Sequence, residues 1–148
     1  MKKTKKAKRG KVVKVKDFDS MTVSQVMEKE VQSVRLRTKG DVIASLMIEG
    51  FGAVPVVKNG RKLAGIVSEH DLLAVVDDGH RLGAVSAKDV MTSNPYSVRP
   101  ETTLGTLVHV LRASDLVRVP VVDDKDTLVG IIARRDVLRT YLATGGTR

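Results

Sequence analysis

A chain of 148 residues, 42% hydrophobic and only 3% aromatic, suffices for one compact domain or for two small units sharing an aliphatic core. It has no cysteine, which excludes disulfides and thiol chemistry, and no apolar run near the ~20 residues of a membrane span. The net charge of +9 is concentrated: residues 1–16 hold nine of the 26 basic groups and no acid, leaving 17 basic against 17 acidic groups in the rest.

The body of the chain is therefore formally neutral, and the basic character belongs to the N-terminal arm, 1–17. Like charges repel there and little apolar surface offsets the ordering entropy, so the arm is expected to be disordered. Val12, Val13 and Val15 can add a short strand at its end. The arm offers a weak electrostatic contact with nucleic acid or an acidic surface. No aromatic stacker interleaves its lysines, which favours a solubilising or flexible extension. No apolar core follows it, so it is not a secretory signal, and a cytoplasmic location is expected.

Order is expected from about Phe18. Thr22-Val-Ser-Gln25 has capping-box spacing and starts a short helix running to Met27. Val31 to Val34 reads as a strand. Thr38 or Asp41 can open a helix whose face is Val42, Ile43, Leu46 and Met47, and Gly50 can stop it. Ala53 to Val57 is a buried strand, Lys58 to Arg61 a turn around Asn59-Gly60, and Leu63 to Val67 the return strand. Ser68 then caps a helix with Leu72, Leu73, Val75 and Val76 as its apolar face, and Asp77-Asp78-Gly79 ends it.

After a linker at 79–85 the same order returns. Ser86 to Asp89 opens a short helix ending in Val90-Met91, as Val26-Met27 did 64 residues before. Tyr96 to Val98 reads as a strand, and Leu104, Leu107, Val108 and Leu111 mark a helical face. Arg118 to Val122 and Leu128 to Ala133 are the paired strands. Val137, Leu138, Tyr141 and Leu142 are expected to face the core from the last helix, and 144–148 is a loose end. Shifted by 65, Val54, Pro55, Val56, Val57, Leu63, Gly65, Ile66 and Asp71 fall on Val119, Pro120, Val121, Val122, Leu128, Gly130, Ile131 and Asp136. The chain is thus an α+β protein of two β-α-β-β-α units, 18–78 and 86–143, packed as a pseudo-twofold pair.

The order of motifs is Val-Met after a short helix, then Ser-Val, an amphipathic helix, Val-Pro-Val-Val, and Gly followed by Ser68-x-x-Asp71. It is similar to the cystathionine-β-synthase (CBS) domain, and two in series resemble the tandem pair called a Bateman module. The resemblance covers roughly residues 20–143. It implies a regulatory module without catalytic activity or required cofactor, binding AMP, ADP, ATP or an S-adenosylmethionine-like ligand between the units. It also implies a homodimer acting on an effector protein.

The resemblance further implies site residues. Asp71 and Asp136 match the aspartate that accepts hydrogen bonds from the ribose hydroxyls, a task that suits a carboxylate's two oxygens. Ser68 matches the hydroxyl near the phosphate at a helix start, where the dipole favours an anion; the second unit has Ala133 there. Arg118 matches a basic position facing the phosphates; Arg134 and Arg135 flank the Ala133 helix start, and His70 is equivalent to Arg135. The adenine slot would draw on Val31 and Ala53, Val54, Pro55 and Val56, and on Pro95, Tyr96, Val119, Pro120 and Val121. Read from the residues alone, Ser68 and Asp71 also fit a capping box, and the valines also fit plain core packing. His70, His80 and His109 lack metal-ligand spacing, Ser68, His70 and Asp71 share one helical turn and form no triad, and no phosphate-loop motif occurs.

Overall fold

A computed structural model of the protein describes residues 15–50 and 52–145. The arm at 1–14, with the strand expected at Val12 and Val13, and the end at 146–148 lie outside the described residues. Val15 falls in a helix, α1 (Val15–Ser20), not a strand. The other helices are α2 (Gly40–Ile48), α3 (Glu69–Asp77), α4 (Ala87–Val90), α5 (Leu104–Arg112) and α6 (Arg134–Ala143). The strands are β1 (Val34–Arg35), β2 (Ala53–Lys58), β3 (Lys62–Ser68), β4 (Thr92–Ser93), β5 (Arg118–Val122) and β6 (Leu128–Ala133). Among the described residues no helix is long and apolar enough to cross a membrane.

The first sheet has the order β1-β2-β3-β4, with β1 parallel to β2 through the crossover α2 and the other pairs antiparallel. The second sheet pairs β5 with β6. Val98 bridges Val121 in parallel and Glu28 bridges Ile131 antiparallel, so the order of the first sheet is repeated with single bridges at both edges. The strands expected at Val31–Val34 and Tyr96–Val98 shrink accordingly to Val34–Arg35 and to one bridge at Val98. The helix expected after Thr22 is a single 3-10 turn, Val23–Gln25, in which the Thr22 N–H donates to Gln25 Oε1 at 2.8 Å.

The two units exchange their entry segments. Phe18 and Val23 precede the first unit's sheet, yet they are buried with Val98, Leu104, Leu107, Val119, Val121, Ile132 and Val137 of the second. Phe18 meets Tyr141 edge-to-face, ring centroids 5.2 Å apart. In return Ala87 of α4 joins the core of the first unit, and β4 extends its sheet beside β3. Two glycines permit the exchange. A Cβ at Gly65 would stand 2.4 Å from Met91 Sδ and 2.7 Å from the Thr92 carbonyl oxygen. One at Gly130 would stand 2.4 Å from Met27 Sδ and 3.1 Å from the Glu28 carbonyl oxygen. Each methionine of a Val-Met motif thus seats its sulfur over the glycine of the other unit's sheet.

The hairpin turns also meet across the units. The Leu63 N–H donates to the Asp126 carbonyl at 3.0 Å, and the Lys62 ammonium donates to the Lys125 carbonyl. Lys58 pairs with Lys62, so three residues, Asn59–Arg61, close the hairpin instead of two, with Gly60 (φ 74°) and Arg61 (φ 58°) in the left-handed region. At the C-terminus Thr144 is buried and its hydroxyl donates to the Tyr141 carbonyl at 2.8 Å, so the ordered chain runs past Ala143.

The helices depart most from expectation. Leu72 and Val75 of α3 and Val137 of α6 do face the cores. Val42, Leu73, Val76, Leu138 and Leu142, expected to join them, are exposed, as is Ile48 at 85% of its surface. Adjacent apolar positions on a helix span more arc than one core can cover, and these residues fall on the far side of the stripe.

Candidate functional site

The strand pair of each unit delivers a helix start to the same end of the molecule. Ala53 pairs with Ser68 and, in the second unit, Arg118 with Ala133. The connections β3–α3 and β6–α6 therefore lie beside the starts of β2 and β5. Backbone bonds tie them down: the Glu69 N–H donates to the Gly52 carbonyl at 3.4 Å and the Arg134 N–H to the Val117 carbonyl at 3.0 Å.

Between these ends lies a cleft of about 650 Å³ to which both units contribute. Arg118, Arg134 and Arg135 come from the second unit, and Gly50, Gly52 and Glu69 from the first. The two sides are close, since a Cβ on Gly52 would lie 3.9 Å from Arg118 Nε. Gly50 has φ 115°, a conformation glycine supplies without strain, and it turns the chain out of α2 into the rim. Among the described residues none of the three guanidiniums is within salt-bridge distance of a carboxylate. Their charge is balanced in the lining by Glu69 alone, so the cleft suits an anion with several acceptor oxygens.

The two aspartates do not line this cleft; each stands at the third position of its helix, α3 or α6, half-buried. Asp71 completes a reciprocal capping box. The Ser68 N–H donates to Asp71 Oδ2 at 2.8 Å, and the Asp71 N–H donates to Ser68 Oγ at 3.2 Å. Asp71 Oδ1 accepts no hydrogen bond among the described residues. Asp136 accepts from the Ala133 N–H through Oδ2 at 2.9 Å, and its Oδ1 is taken by Arg139 at 3.1 Å. Alanine has no acceptor to return the first bond, so the cap of α6 is half made. The carboxylates are thus unequal, one with a free oxygen and one with both engaged.

The remaining expected residues scatter. His70 is exposed on the first turn of α3 and does not line the cleft; Glu69 takes that place. Val54, Pro55, Val56, Val119, Pro120 and Val121 are buried, the valines with no accessible surface, and their side chains serve the cores. They have a backbone edge to offer a ring, not a wall. Ala53 is half-buried at the strand start. Pro95 is half-buried and Tyr96 exposed on the approach to Val98, and neither lines the arginine cleft. Val31 lines a second cleft of about 600 Å³ with Lys29, Glu30, Gln32, Arg61 and Val129.

Glu69, Gly50 and Gly52 were not foreseen in the sequence. A signal for Glu69 was present, since it occupies the repeat position of Arg134, a charge reversal between equivalent sites.

A family model described as "CBS domain" matches residues 23–78 and again 87–143. An uncharacterized protein of Methanocaldococcus jannaschii is 36% identical over 126 residues, covering 83% of this chain. The chain spans only 45% of that relative's length. Among solved structures, CBSX2 of Arabidopsis thaliana in complex with AMP superposes with a TM-score of 0.77 at 30% identity, over 84% of this chain and 98% of that one. The CBS domain pair of protein MJ0100, solved with 5-methylthioadenosine and S-adenosyl-L-methionine, shares the fold with a TM-score of 0.75 at 21% identity, over 86% of this chain and 98% of that one.

Proposed function

The chain belongs to the CBS-domain family, its two units forming a tandem pair, and we propose that it is a non-catalytic regulatory module that takes an adenine nucleotide between them. The observation that carries this reading is the arginine cleft: three guanidiniums of the second unit, without a carboxylate partner among the described residues, share a cleft with the glycine rim and α3 start of the first. The likeness to a structure holding AMP supports it at the level of the ligand class.

In this reading the phosphate or phosphates lie among Arg118, Arg134 and Arg135, where charge-assisted bonds form in a partly enclosed cleft. The ribose hydroxyls reach Asp71, whose Oδ1 is free, more readily than Asp136, whose oxygens are taken. The start of α6 adds to the anion's side: the Asp136 N–H has no side-chain oxygen at position 133, whereas Ser68 occupies its counterpart in α3. The same charge disfavours S-adenosylmethionine, whose sulfonium carries a positive charge towards three arginines. Because the lining comes from both units, a bound nucleotide favours one inter-unit geometry. That differential affinity is what a regulated partner would sense. The exposed apolar residues of α2, α3 and α6 fit a homodimer.

The test is a thermal-shift panel of AMP, ADP, ATP, S-adenosylmethionine and a cyclic dinucleotide. A mono-, di- or triphosphate of adenosine is expected to raise the melting temperature, with S-adenosylmethionine inert. No shift with any adenine nucleotide would leave a dimerisation module with degenerate pockets as the reading.

A further inference from the structure

The arginine cleft is not purely basic. Its lining sets Arg118, Arg134 and Arg135 against one acid, Glu69, and the other lining residues are uncharged, so its formal charge is +2. A phosphate monoester carries about −1.5 to −2 charges at pH 7. The lining therefore matches a single phosphate, whereas a di- or triphosphate brings negative charge that nothing in it balances.

Glu69 is held in place by its backbone. It is the first residue of α3, and its N–H donates to the Gly52 carbonyl at 3.4 Å, which ties it to the rim. Its repeat counterpart, 65 residues on, is Arg134, so both equivalent positions line the one cleft with opposite charge. Among the described residues the Glu69 carboxylate has no basic side chain within salt-bridge distance. An acid in the first turn of a helix also complements the helix dipole, but Asp71 already supplies one there, with the capping bonds.

We propose that Glu69 is a specificity-determining residue, favouring a nucleoside monophosphate in the arginine cleft over the longer phosphate chains of ADP and ATP. The inference rests on the nucleotide reading above and names which nucleotide the site prefers. The guanidiniums take the oxygens of one phosphate by charge-assisted bonds. Further phosphates spread charge through a cleft whose first-unit side carries the Glu69 carboxylate. Like charges repel more strongly in a partly enclosed site than in bulk water. A repulsive group of this kind separates ligands that share the same attractive contacts.

The test is calorimetric titration of AMP and ATP at matched ionic strength, without and with Mg²⁺, into the full chain and three variants. Glu69→Gln removes the charge and keeps the shape. Asp77→Asn removes an equal charge from the exposed end of α3, outside the cleft. Glu69→Arg places the second unit's residue in the first. The wild type is expected to bind AMP at least about fivefold more tightly than ATP. Glu69→Gln is expected to tighten ATP about tenfold and AMP by less than about threefold. Asp77→Asn should leave the ratio of the two affinities unchanged, and Glu69→Arg should favour ATP. The same ratio in wild type and Glu69→Gln would overturn the proposal. So would an equal change of ratio in Asp77→Asn, which would assign the effect to overall charge. Tighter binding of ATP with Mg²⁺ than of AMP to the wild type, lost in Glu69→Gln, would overturn it by making the carboxylate a cation ligand. Binding of neither nucleotide to the wild type would overturn the nucleotide reading and this proposal with it.

Discussion

Gly65→Ala tests the exchange of entry segments on which the pseudo-twofold pair depends. The added methyl would meet Met91 Sδ at 2.4 Å, Met91 Cγ at 2.9 Å and the Thr92 carbonyl oxygen at 2.7 Å. A thioether can rotate away, but the carbonyl belongs to β4, which is bonded into the sheet beside β3. Overpacking of this kind costs about 1–3 kcal/mol, and the backbone contact places Gly65→Ala near the upper end. Gly130→Ala meets Met27 Sδ at 2.4 Å but its backbone oxygen, of Glu28, only at 3.1 Å, so most of that strain relaxes by rotation and the expected cost is about 1 kcal/mol. For a chain of this size each kcal/mol lowers Tm by roughly 2–4 °C. Urea unfolding of the two variants should rank Gly65→Ala as the more destabilised. Adding Met27→Ala should lessen the penalty of Gly130→Ala more than Met91→Ala lessens that of Gly65→Ala. Equal stability of the wild type and Gly65→Ala, or the reverse ranking, would refute the reasoning.

The unequal caps give an opposed pair. Ser68→Ala removes the acceptor of the Asp71 N–H and should cost about 1 kcal/mol in chemical denaturation, whereas Ala133→Ser, supplying the acceptor that α6 lacks, should stabilise by up to about 1 kcal/mol. The acid limb of stability should depend on Asp123. Bonds from the Thr127 and Lys125 backbone N–H groups, both 2.9 Å, hold its carboxyl below the usual aspartate value, helped by the Lys62 ammonium. A depressed folded pKa contributes stability that is present above the unfolded value of about 3.9 and lost as pH falls through the folded one. Asp123→Asn should therefore flatten the pH dependence of the urea midpoint below about pH 4, and an unchanged slope would contradict the assignment.

The repeated Val-Pro-Val-Val strands, their return strands and the capped helix after Ser68 were legible because each is written in local sequence. Strand residues alternate with turn residues over a few positions, and the 65-residue offset aligns the copies. What escaped was non-local. Nothing near Phe18 says that it packs on Tyr141, and the glycines that admit Met27 and Met91 become intelligible only once the two sheets are side by side. The helix faces were misjudged for a related reason. Periodicity marks Leu73 and Leu138 as apolar but not which surface covers them, and both are exposed. At the site, Arg118, Arg134 and Arg135 line one cleft, while Glu69 and the glycine rim come from the other unit and enter only through tertiary packing. The buried valines show the converse: an apolar residue beside a site is decided by which side of the strand it occupies.

The proposed nucleotide function is tested most directly by calorimetric titration of AMP into the full chain and into Arg118→Ala at matched salt. Arg118 is half-buried at the start of β5, against the first unit's rim, so its loss removes a charge from the cleft without opening a core. The expected result is saturable binding to the wild type and at least about tenfold weaker binding to the variant, with unchanged Tm in the absence of nucleotide. Equal affinity in the two proteins, or no binding heat in the wild type at any concentration tried, would contradict it.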